Sequence, residues 1–389
     1  PDFGGQGLPH ALALACIEMV YGANMSFSLC PMLTAAAIDA LTEPGTQEQK
    51  SLYLPKLVSG EWTGTMCLTE PQAGSDVGAL RTRAEKQDDG TYRIKGSKIF
   101  ITYGEHDMAE NIIHMVLARL PDAPAGTKGI SLFLVPKFLV NGDGSLGARN
   151  DLKAVGLEHK LGIHASPTCT MAFGETEGAV GYLIGAENRG MATMFTMMNA
   201  ARLNVGTQGV GIAERATQQA LAYAQERRQG RAPDGDGAAQ IIAHPDVRRM
   251  VMTMKALTEA ARAICYANAV AIDTARHHPD EAQRAKAKLR EELLTPISKA
   301  FSTDLAVEIA SIGIQVHGGM GFIEETGAAQ HLRDARILPI YEGTNGIQAI
   351  DLVGRKLRLG DGAAVADFIE EARGAAAALK DTGDDALSR

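Results

Sequence analysis

The sequence predicts an α+β protein in which a helical region, a β domain and a helical bundle follow one another along 389 residues. Three observations predict this order: apolar residues recur at helical spacing at the start, short alternating runs fill the middle, and helical spacing returns at the end. Segregated elements of this kind are typical of α+β proteins whose domains meet at a cleft. We expect a helical region at 1–61, a β domain at 62–187, a helical bundle at 188–360 and the start of a C-terminal extension at 361–389.

The N-terminal region has the apolar spacing of helices, with predicted breaks at Pro31 and at Pro44-Gly45. Thr46 and Gln49 have the spacing of a capping box, and Gly60 stands where the following helix should end. The chain starts at Pro1 rather than Met, without a basic or apolar leader segment. We therefore expect this helical region to be incomplete.

The middle of the chain has the alternation of β-strands. The predicted strands cover residues 82–86, 92–95, 98–102, 112–120, 130–135 and 168–173. Asp89-Gly90 predicts a type I′ hairpin turn, because that turn needs positive φ at both central positions. The Gly- and Asn-rich residues 141–150 predict an extended surface loop.

From Asn188 onward, Ala, Leu, Met and paired charges return to helical spacing. A break is predicted from Gly230 to Gly237, and the helical pattern resumes near Pro245. The alanine run 375–378 predicts a further helix. These segments together predict a bundle of long helices.

Composition excludes several classes of protein. Lys and Arg total 38 against 46 Asp and Glu, so the formal charge is −8, and no basic run suggests nucleic acid as a partner. No stretch approaches the roughly 18 uninterrupted apolar residues that a membrane span needs. The five cysteines are odd in number and lack C-x-x-C spacing, which indicates reduced thiols of a cytosolic protein. His159, His164 and Cys169 lack a visible fourth ligand, so we expect no metal site.

Three segments have the residue types of a binding or catalytic site. Residues 66–77 read as a strand followed by hydroxyls and a Pro/Gly turn, which suits a flat heterocycle or a phosphate. Residues 96–104 place an aromatic ring and a hydroxyl on one strand face. Glu342 follows apolar residues, where desolvation would raise its pKa and prepare it as a base. Each segment alone also fits a structural reading: a plain connection, a core aromatic residue, or a surface acid at a helix end.

The order of these motifs resembles that of the acyl-CoA dehydrogenases along nearly the whole chain. The matching segments are 70–76 (EPQAGSD), 100–102 (FIT), 226–227 (ER), 315–319 (QVHGG) and 341–344 (YEGT). The G-x-G-x-x-G of a Rossmann nucleotide site is absent. Residues 141–150 and 156–168 are similar to a larger bacterial subgroup, whose members carry additional chain at both ends.

The resemblance implies FAD held between the β domain and the bundle. Leu68 and Thr69 would contact the isoalloxazine ring, Phe100 would pack against it, and Thr102 would hydrogen-bond near flavin N5. Ser75 would lie beside the pyrophosphate and the substrate. Family members usually carry Trp at the position of Phe100. The phenyl ring of Phe100 still offers an apolar face.

The resemblance also implies a cofactor shared between subunits. Arg227 and the segment with Gln315, Gly318 and Gly319 would come from a neighbouring subunit and hold the adenine and pyrophosphate end of FAD. Thr344 would contact the same end of the nearer flavin. A homodimer or homotetramer is therefore expected.

The implied substrate site comprises Ser75, Arg202, Tyr341, Glu342 and Gly343. Glu342 would be the catalytic base. Some relatives place this base on the helix that carries Arg202, but residues 199–201 are Asn, Ala and Ala and cannot accept the proton.

The implied reaction is FAD-dependent α,β-dehydrogenation of an acyl-CoA thioester to a trans-2-enoyl-CoA, with electrons passed to an electron-transferring flavoprotein. The implied substrates are 3-methylmercaptopropionyl-CoA or a medium- or long-chain acyl-CoA, in a bacterial cytoplasm. Two alternatives stay open at this stage. An acyl-CoA oxidase would pass the electrons to oxygen, and a flavin-binding, DNA-associated relative would show little dehydrogenase activity, although the charge of −8 argues against it.

Overall fold

A computed structural model describes residues 2–231, 235 and 237–380. Its helices and strands confirm the α+β fold class and the predicted order of helical, β and helical regions. The helices are α1 (His10–Ala23), α2 (Met25–Thr42), α3 (Gln47–Ser59), α4 (Gly190–Glu226), α5 (Pro245–His277), α6 (Glu281–His317), α7 (Ala328–Ala335), α8 (Asn345–Gly354) and α9 (Ala363–Lys380). The strands are β1 (Trp62–Cys67), β2 (Arg83–Lys86), β3 (Tyr92–Thr102), β4 (Asn111–Arg119), β5 (Ile130–Pro136), β6 (Phe138–Val140), β7 (Leu146–Arg149), β8 (Leu152–Leu157), β9 (Thr168–Phe173), β10 (Ala179–Ile184), β11 (Arg228–Arg231) and β12 (Ala238–Gln240).

The break predicted at Pro31 is wrong, because α2 continues through that proline. Most side chains of α2 are buried, and their packing outweighs the cost of about 3 kcal/mol that an interior proline imposes. The chain breaks earlier, at Asn24, whose side chain accepts the Phe27 N–H at 3.0 Å and so caps α2. By length and composition α2 could also cross a membrane, but 67% of it is buried inside the protein.

The predicted ends of α3 are confirmed. Thr46 and Gln49 exchange side-chain-to-backbone hydrogen bonds as a capping box, and Gly60 ends the helix with φ +81°. These local signals fix both ends of α3 because they depend on neighbouring residues alone.

The central sheet is partly closed. Its strands follow the order β1-β4-β5-β10-β3-β9-β8, and β2 pairs with both β3 and β4. Strands β2, β3, β10, β5 and β4 therefore form a ring, while β1 lies outside it, parallel to β4. The core of this ring is apolar, and Phe133, Ile94 and Val116 are fully buried within it.

Two turn predictions need correction. Lys86 pairs with Tyr92 across the predicted hairpin, but positive φ occurs at Gly90 and not at Asp89, so the turn is not type I′. Asp89 instead accepts hydrogen bonds from the N–H and hydroxyl of Thr91, which closes a longer loop. The predicted surface loop 141–150 contains β7, which pairs with β6 as a two-stranded ribbon.

The C-terminal region is a bundle of three long helices, α4, α5 and α6, which pack against one another. The chain breaks after α4 at a small ribbon of β11 and β12, and α5 begins at Pro245, as predicted. Residues 232–234 and 236 of the predicted break lie outside the described residues, as do 381–389 of the predicted extension. Helix α9 includes the predicted alanine run 375–378.

One continuous core joins the three regions. It includes Leu33 and Ala37 of α2, Ile113 of β4, and Val205 and Ile309 of the bundle. A Cβ at Gly64 of β1 would come within 2.4 Å of the Ala37 Cβ, so glycine allows the close approach of α2 and the sheet. This contact packs α2 against β1, and both elements contribute to the cavity described next.

Candidate active site

A cavity of about 600 Å³ lies where the β domain meets the bundle. Its lining comes from the end of β1, the end of β3, α4 and the segment that leads into α8. The predicted site residues that line it are Leu68, Thr69, Ser75, Phe100, Thr102, Arg202, Tyr341, Glu342, Gly343 and Thr344. Tertiary folding thus brings together residues that are up to 276 positions apart in the chain (68 to 344).

Four predicted cofactor residues lie elsewhere. Arg227 follows α4, whereas Gln315, Gly318 and Gly319 lie at the end of α6, and all four are exposed. The two segments share one end of the bundle, where the rings of Tyr223 and His317 stack with centroids 4.5 Å apart. They do not line the cavity of their own chain.

A buried ion pair supports the β1 end of the cavity. Glu70 accepts hydrogen bonds from Lys98 Nζ at 2.8 Å, the Arg81 N–H at 2.7 Å and the Thr82 hydroxyl at 2.6 Å. Lys98 Nζ also donates to the Leu68 carbonyl at 3.0 Å. Burial raises the pKa of Glu70, but the Lys98 charge and these donors lower it to about 2. The Glu70 of the sequence motif is therefore a structural anion, which fixes the loop that carries the cavity-lining hydroxyls.

Lys98 is absent from the sequence-based predictions. The sequence contains a signal for this ion pair. Lys98 occupies an inward-facing, buried position in the alternation of β3, and a buried charged residue needs a partner.

Three residues around the cavity have strained backbone conformations. Phe100, Ile163 and Glu342 adopt φ of +59°, +46° and +54°, which is unusual for residues with a side chain. Strand β3 also bulges between Lys98 and Ile101, next to Phe100. Strain of this kind persists when surrounding structure imposes it, and it clusters at functional sites.

Helix α7 fixes one rim of the cavity. Asp334 of α7 accepts the Ile163 N–H at 2.5 Å, and a Cβ at Gly162 would come within 2.5 Å of the Arg333 carbonyl. Only glycine fits at position 162 without a shift, so the rim loop packs directly on the helix backbone.

Glu342 is half-buried and faces the cavity. Burial raises the pKa of its carboxyl to about 7, although the cations Arg202 and Lys299 act in the opposite direction. A carboxyl group with this pKa exchanges a proton near neutral pH, which suits a general base.

Hydrogen bonds hold the residue before Glu342. The Tyr341 hydroxyl donates to Gln208 Oε1 at 2.5 Å, and Gln208 Nε2 contacts Met32 Sδ at 3.1 Å. Burial and the Glu342 charge raise the pKa of Tyr341 well above its usual value, so its hydroxyl stays a donor. Gln208 was not predicted, and a glutamine inside a helix carries no sequence signal of this contact.

A second cavity, of about 1000 Å³, lies between the α1–α2 turn, α4 and α7. Its lining contains Arg215, Gln219, His331 and Asp334 and none of the predicted site residues. The smaller cavity holds the carboxyl with the raised pKa and the strained backbone, and we therefore identify it as the candidate active site. Among the described residues, no group of His, Cys, Asp and Glu could hold a metal ion.

The helical, β and helical regions around this cavity define an acyl-CoA dehydrogenase fold. Family models for the N-terminal, middle and C-terminal domains of acyl-CoA dehydrogenases match residues 1–61, 65–176 and 188–357. The chain belongs to the acyl-CoA dehydrogenase family, whose cofactor is FAD.

Individual relatives agree with this assignment. A 3-methylmercaptopropionyl-CoA dehydrogenase of Ruegeria pomeroyi is 57% identical over 95% of this chain and 62% of that protein. A butyryl-CoA dehydrogenase of Syntrophomonas wolfei is 42% identical over 95% of this chain and 64% of that protein. The chain thus spans less than two thirds of the length of these two relatives. The structure of butyryl-CoA dehydrogenase from Megasphaera elsdenii matches with a TM-score of 0.75 and 29% identity, over 92% of this chain and 85% of that one.

The cavity fits a flavin in two respects. The hydroxyls of Thr69, Ser75 and Thr102 line it and form no hydrogen bond with other described residues, so they can pair with a polar ligand. Large apolar side chains also line it while facing solvent: Phe100 is 58% exposed, Leu161 62% and Ile340 49%. Polar groups set in an apolar lining are what a flat, amphipathic ligand requires.

Proposed function

We propose that this chain catalyses FAD-dependent α,β-dehydrogenation of an acyl-CoA thioester, with Glu342 as the base. The single observation that carries the proposal is the half-buried Glu342 carboxyl, with a pKa raised to about 7, in a cavity that fits a flavin. The 57% identity to a 3-methylmercaptopropionyl-CoA dehydrogenase supports 3-methylmercaptopropionyl-CoA as the substrate, and a medium- or long-chain acyl-CoA is the alternative.

We propose that Leu68, Thr69, Phe100 and Thr102 hold the isoalloxazine ring, and that Ser75 serves both the pyrophosphate and the substrate. Thr344 would contact the far end of the same cofactor. When bound, FAD supplies a two-electron acceptor for the hydride that leaves the substrate Cβ.

The chain's own contribution is proton removal. A thioester carbonyl acidifies the neighbouring Cα–H, and the Glu342 carboxylate takes that proton. Entry of the acyl chain displaces water from the apolar lining and strengthens the electrostatic interactions of the carboxylate. The carbonyl then gains negative charge, which a nearby N–H donor can stabilise.

The backbone N–H of Glu342 is available for that oxygen, because it makes no hydrogen bond with the described residues. Arg202 and Gly343 complete the proposed substrate site. Arg202 is almost fully buried and pairs with Asp351 at 3.4 Å, and its positive charge lowers the pKa of Glu342 against the effect of burial.

Protein reconstituted with FAD should retain the flavin through gel filtration, and its flavin absorbance should bleach when acyl-CoA is added without oxygen. The absorbance should fall because removal of a proton and a hydride from the acyl-CoA leaves the flavin reduced, and the reduced flavin stays bound to the protein. The measurement is an anaerobic titration with 3-methylmercaptopropionyl-CoA, butyryl-CoA and a long-chain acyl-CoA in parallel. Retention of flavin with no bleaching by any thioester would contradict the proposed activity.

We propose an electron-transferring flavoprotein as the oxidant of the reduced enzyme, in a bacterial cytoplasm. In steady-state assays such a flavoprotein should sustain turnover, whereas air alone should give little H₂O₂. Rapid H₂O₂ formation without an added acceptor would instead identify an oxidase.

We propose that Arg227, with Gln315, Gly318 and Gly319, binds the adenine and pyrophosphate end of FAD in a neighbouring subunit. Arg227→Ala should therefore lower flavin retention, because a guanidinium donates two hydrogen bonds to a pyrophosphate at once. Flavin content per chain and oligomeric size in gel filtration measure the effect. Arg249→Ala is a matched control, since Arg249 is exposed on the following helix and its ion pair within the described part of the chain is with Asp246, three residues away. Unchanged flavin content and unchanged size in Arg227→Ala would exclude the role across subunits.

A further inference from the structure

Lys299 is a buried lysine next to the proposed base. It lies on α6, is 0% exposed and does not line the cavity. Its Nζ donates to Asn345 Oδ1 at 2.8 Å, and Asn345 stands three residues after Glu342. Lys299 therefore contacts the segment that carries Glu342 without lining the cavity itself.

Asn345 attaches that segment to α6. Its Nδ2 group contacts the Ala300 carbonyl at 3.2 Å, Thr303 Oγ1 at 3.0 Å and Asp304 Oδ1 at 2.8 Å. These contacts, together with the Lys299 bond, fix the start of α8 and hence the short turn that begins at Glu342.

Lys299 also differs from the other fully buried lysine, Lys98. Lys98 pairs directly with Glu70 at 2.8 Å, whereas Lys299 forms no ion pair within 4.0 Å among the described residues. A buried ammonium without a contacting carboxylate is costly, so its charged form depends on anions that lie nearby.

The charges that face Lys299 come from three elements. Glu342 on the turn and Asp304 on α6 favour its charged form, while Arg202 on α4 disfavours it. Burial outweighs the two anions and lowers the pKa of Lys299 to about 8. Glu342 is faced in turn by Arg202 and Lys299, and by Tyr341 on its own segment.

The two cations that act on Glu342 are not equivalent. Arg202 has a carboxylate partner, Asp351, which also pairs with Arg355 at 2.7 Å. Among the described residues, the Lys299 ammonium group contacts only the neutral amide of Asn345. Both cations favour the ionised form of Glu342, Arg202 more strongly than Lys299, but Lys299 is the one that has no carboxylate in contact among the described residues.

We propose that Lys299 is a positioning residue: it holds the Glu342 turn through Asn345 and, together with Arg202, supplies positive charge that favours the ionised form of Glu342, which accepts the proton. The catalytic part of this inference rests on the proposed function. The effect of the Lys299 charge on the Glu342 pKa does not depend on that function.

Lys299→Gln tests this role, because glutamine can still donate to Asn345 but carries no charge. The pH midpoint for the rise of the flavin-reduction rate, expected at about 7 in the wild type, should move upward by about one unit, and the rate at pH 7 should fall about fivefold. Lys299→Arg retains the charge and should restore the wild-type midpoint. If the glutamine variant does not fold, Lys299→Met is measured in the same way.

A second measurement needs no cofactor. Infrared difference titration of the FAD-free protein, with Glu342→Gln as the reference, reports the protonation of the Glu342 carboxyl directly. The same upward shift is expected in Lys299→Gln. Lys288→Gln is the matched control, since Lys288 is an exposed residue of α6 that pairs with Glu291, and it should shift nothing.

The outcomes separate the two proposals. An unshifted infrared midpoint in Lys299→Gln overturns the role of Lys299, whatever the activity. The infrared midpoint can shift while no acyl-CoA reduces the flavin. That result supports the charge effect of Lys299 and counts against the proposed function. A loss of rate with an unchanged midpoint would show that Lys299 is only structural, and this too overturns the inference.

Discussion

Glu342→Gln should slow flavin reduction by acyl-CoA by at least about 100- to 10,000-fold, the usual contribution of a general base. Glutamine keeps the size and hydrogen-bonding capacity of glutamate but cannot accept the Cα proton. The strained φ of +54° at this position is a backbone property that the substitution leaves in place. Stopped-flow reduction under anaerobic conditions measures the effect on the chemical step.

Binding should survive in the same variant. FAD retention and the change of the flavin spectrum caused by a non-reacting acyl-CoA analogue should both persist, because the predicted flavin contacts come from other residues. Glu158→Gln is a matched control, since Glu158 also lines the cavity but lies on the loop after β8. Reduction of Glu342→Gln at a near-native rate would show that the proton goes to another group, and the assignment of the base would be wrong.

Lys98→Met should destabilise the folded protein by about 3 kcal/mol, the low end of the cost of breaking a buried ion pair. The low end is expected because Glu70 keeps the Arg81 N–H, the Thr82 N–H and the Thr82 hydroxyl as donors. Urea unfolding followed by circular dichroism gives the free energy of unfolding. Flavin retention should fall as well, since Lys98 also bonds to the Leu68 carbonyl.

The matched control is Lys153→Met in the same β domain. Lys153 pairs with Glu175 at 2.6 Å, but the two side chains are 58% and 50% exposed. Surface pairs of this kind contribute less than about 1 kcal/mol. Equal losses of stability in Lys98→Met and Lys153→Met would contradict the role of the buried pair.

The Glu70 site also has a defined pH dependence. Its pKa is lowered from 4.5 to about 2 in the folded protein. Its contribution to stability is therefore fully present above pH 4.5 and is lost as the pH falls through about 2. Lys98→Met should lose part of that contribution at neutral pH, so its stability should fall less steeply with acid than that of the wild type.

Some features of this protein follow from local sequence. The capping box of Thr46 and Gln49 and the helix end at Gly60 were predicted from neighbouring residues, because their hydrogen bonds close within a few positions. The order of helical and β regions was predicted for a similar reason: apolar spacing reports which face of an element is buried. The order of the motifs indicated the family, and the resemblance to that family identified the candidate site residues between Leu68 and Thr344.

Other local predictions were wrong for different reasons. Pro31 lies inside α2 because tertiary burial of that helix outweighs the cost of the proline. Asp89 lacks positive φ because its side chain accepts a hydrogen bond from the Thr91 N–H, two residues along the chain. Residues 141–150 looked like a loop, yet β7 pairs with β6, since a short ribbon leaves little apolar alternation to detect.

The sequence by itself determined the fold class, the family and the identity of Glu342 as a candidate base. Tertiary structure decided what surrounds that carboxylate: Arg202 from α4, Lys299 from α6 and the Tyr341 bond to Gln208. Glu70 likewise became a structural anion only once Lys98 lay beside it. The physical reason is that a pKa depends on burial and on charges a few ångströms away in space, and these come from residues that are distant in the chain.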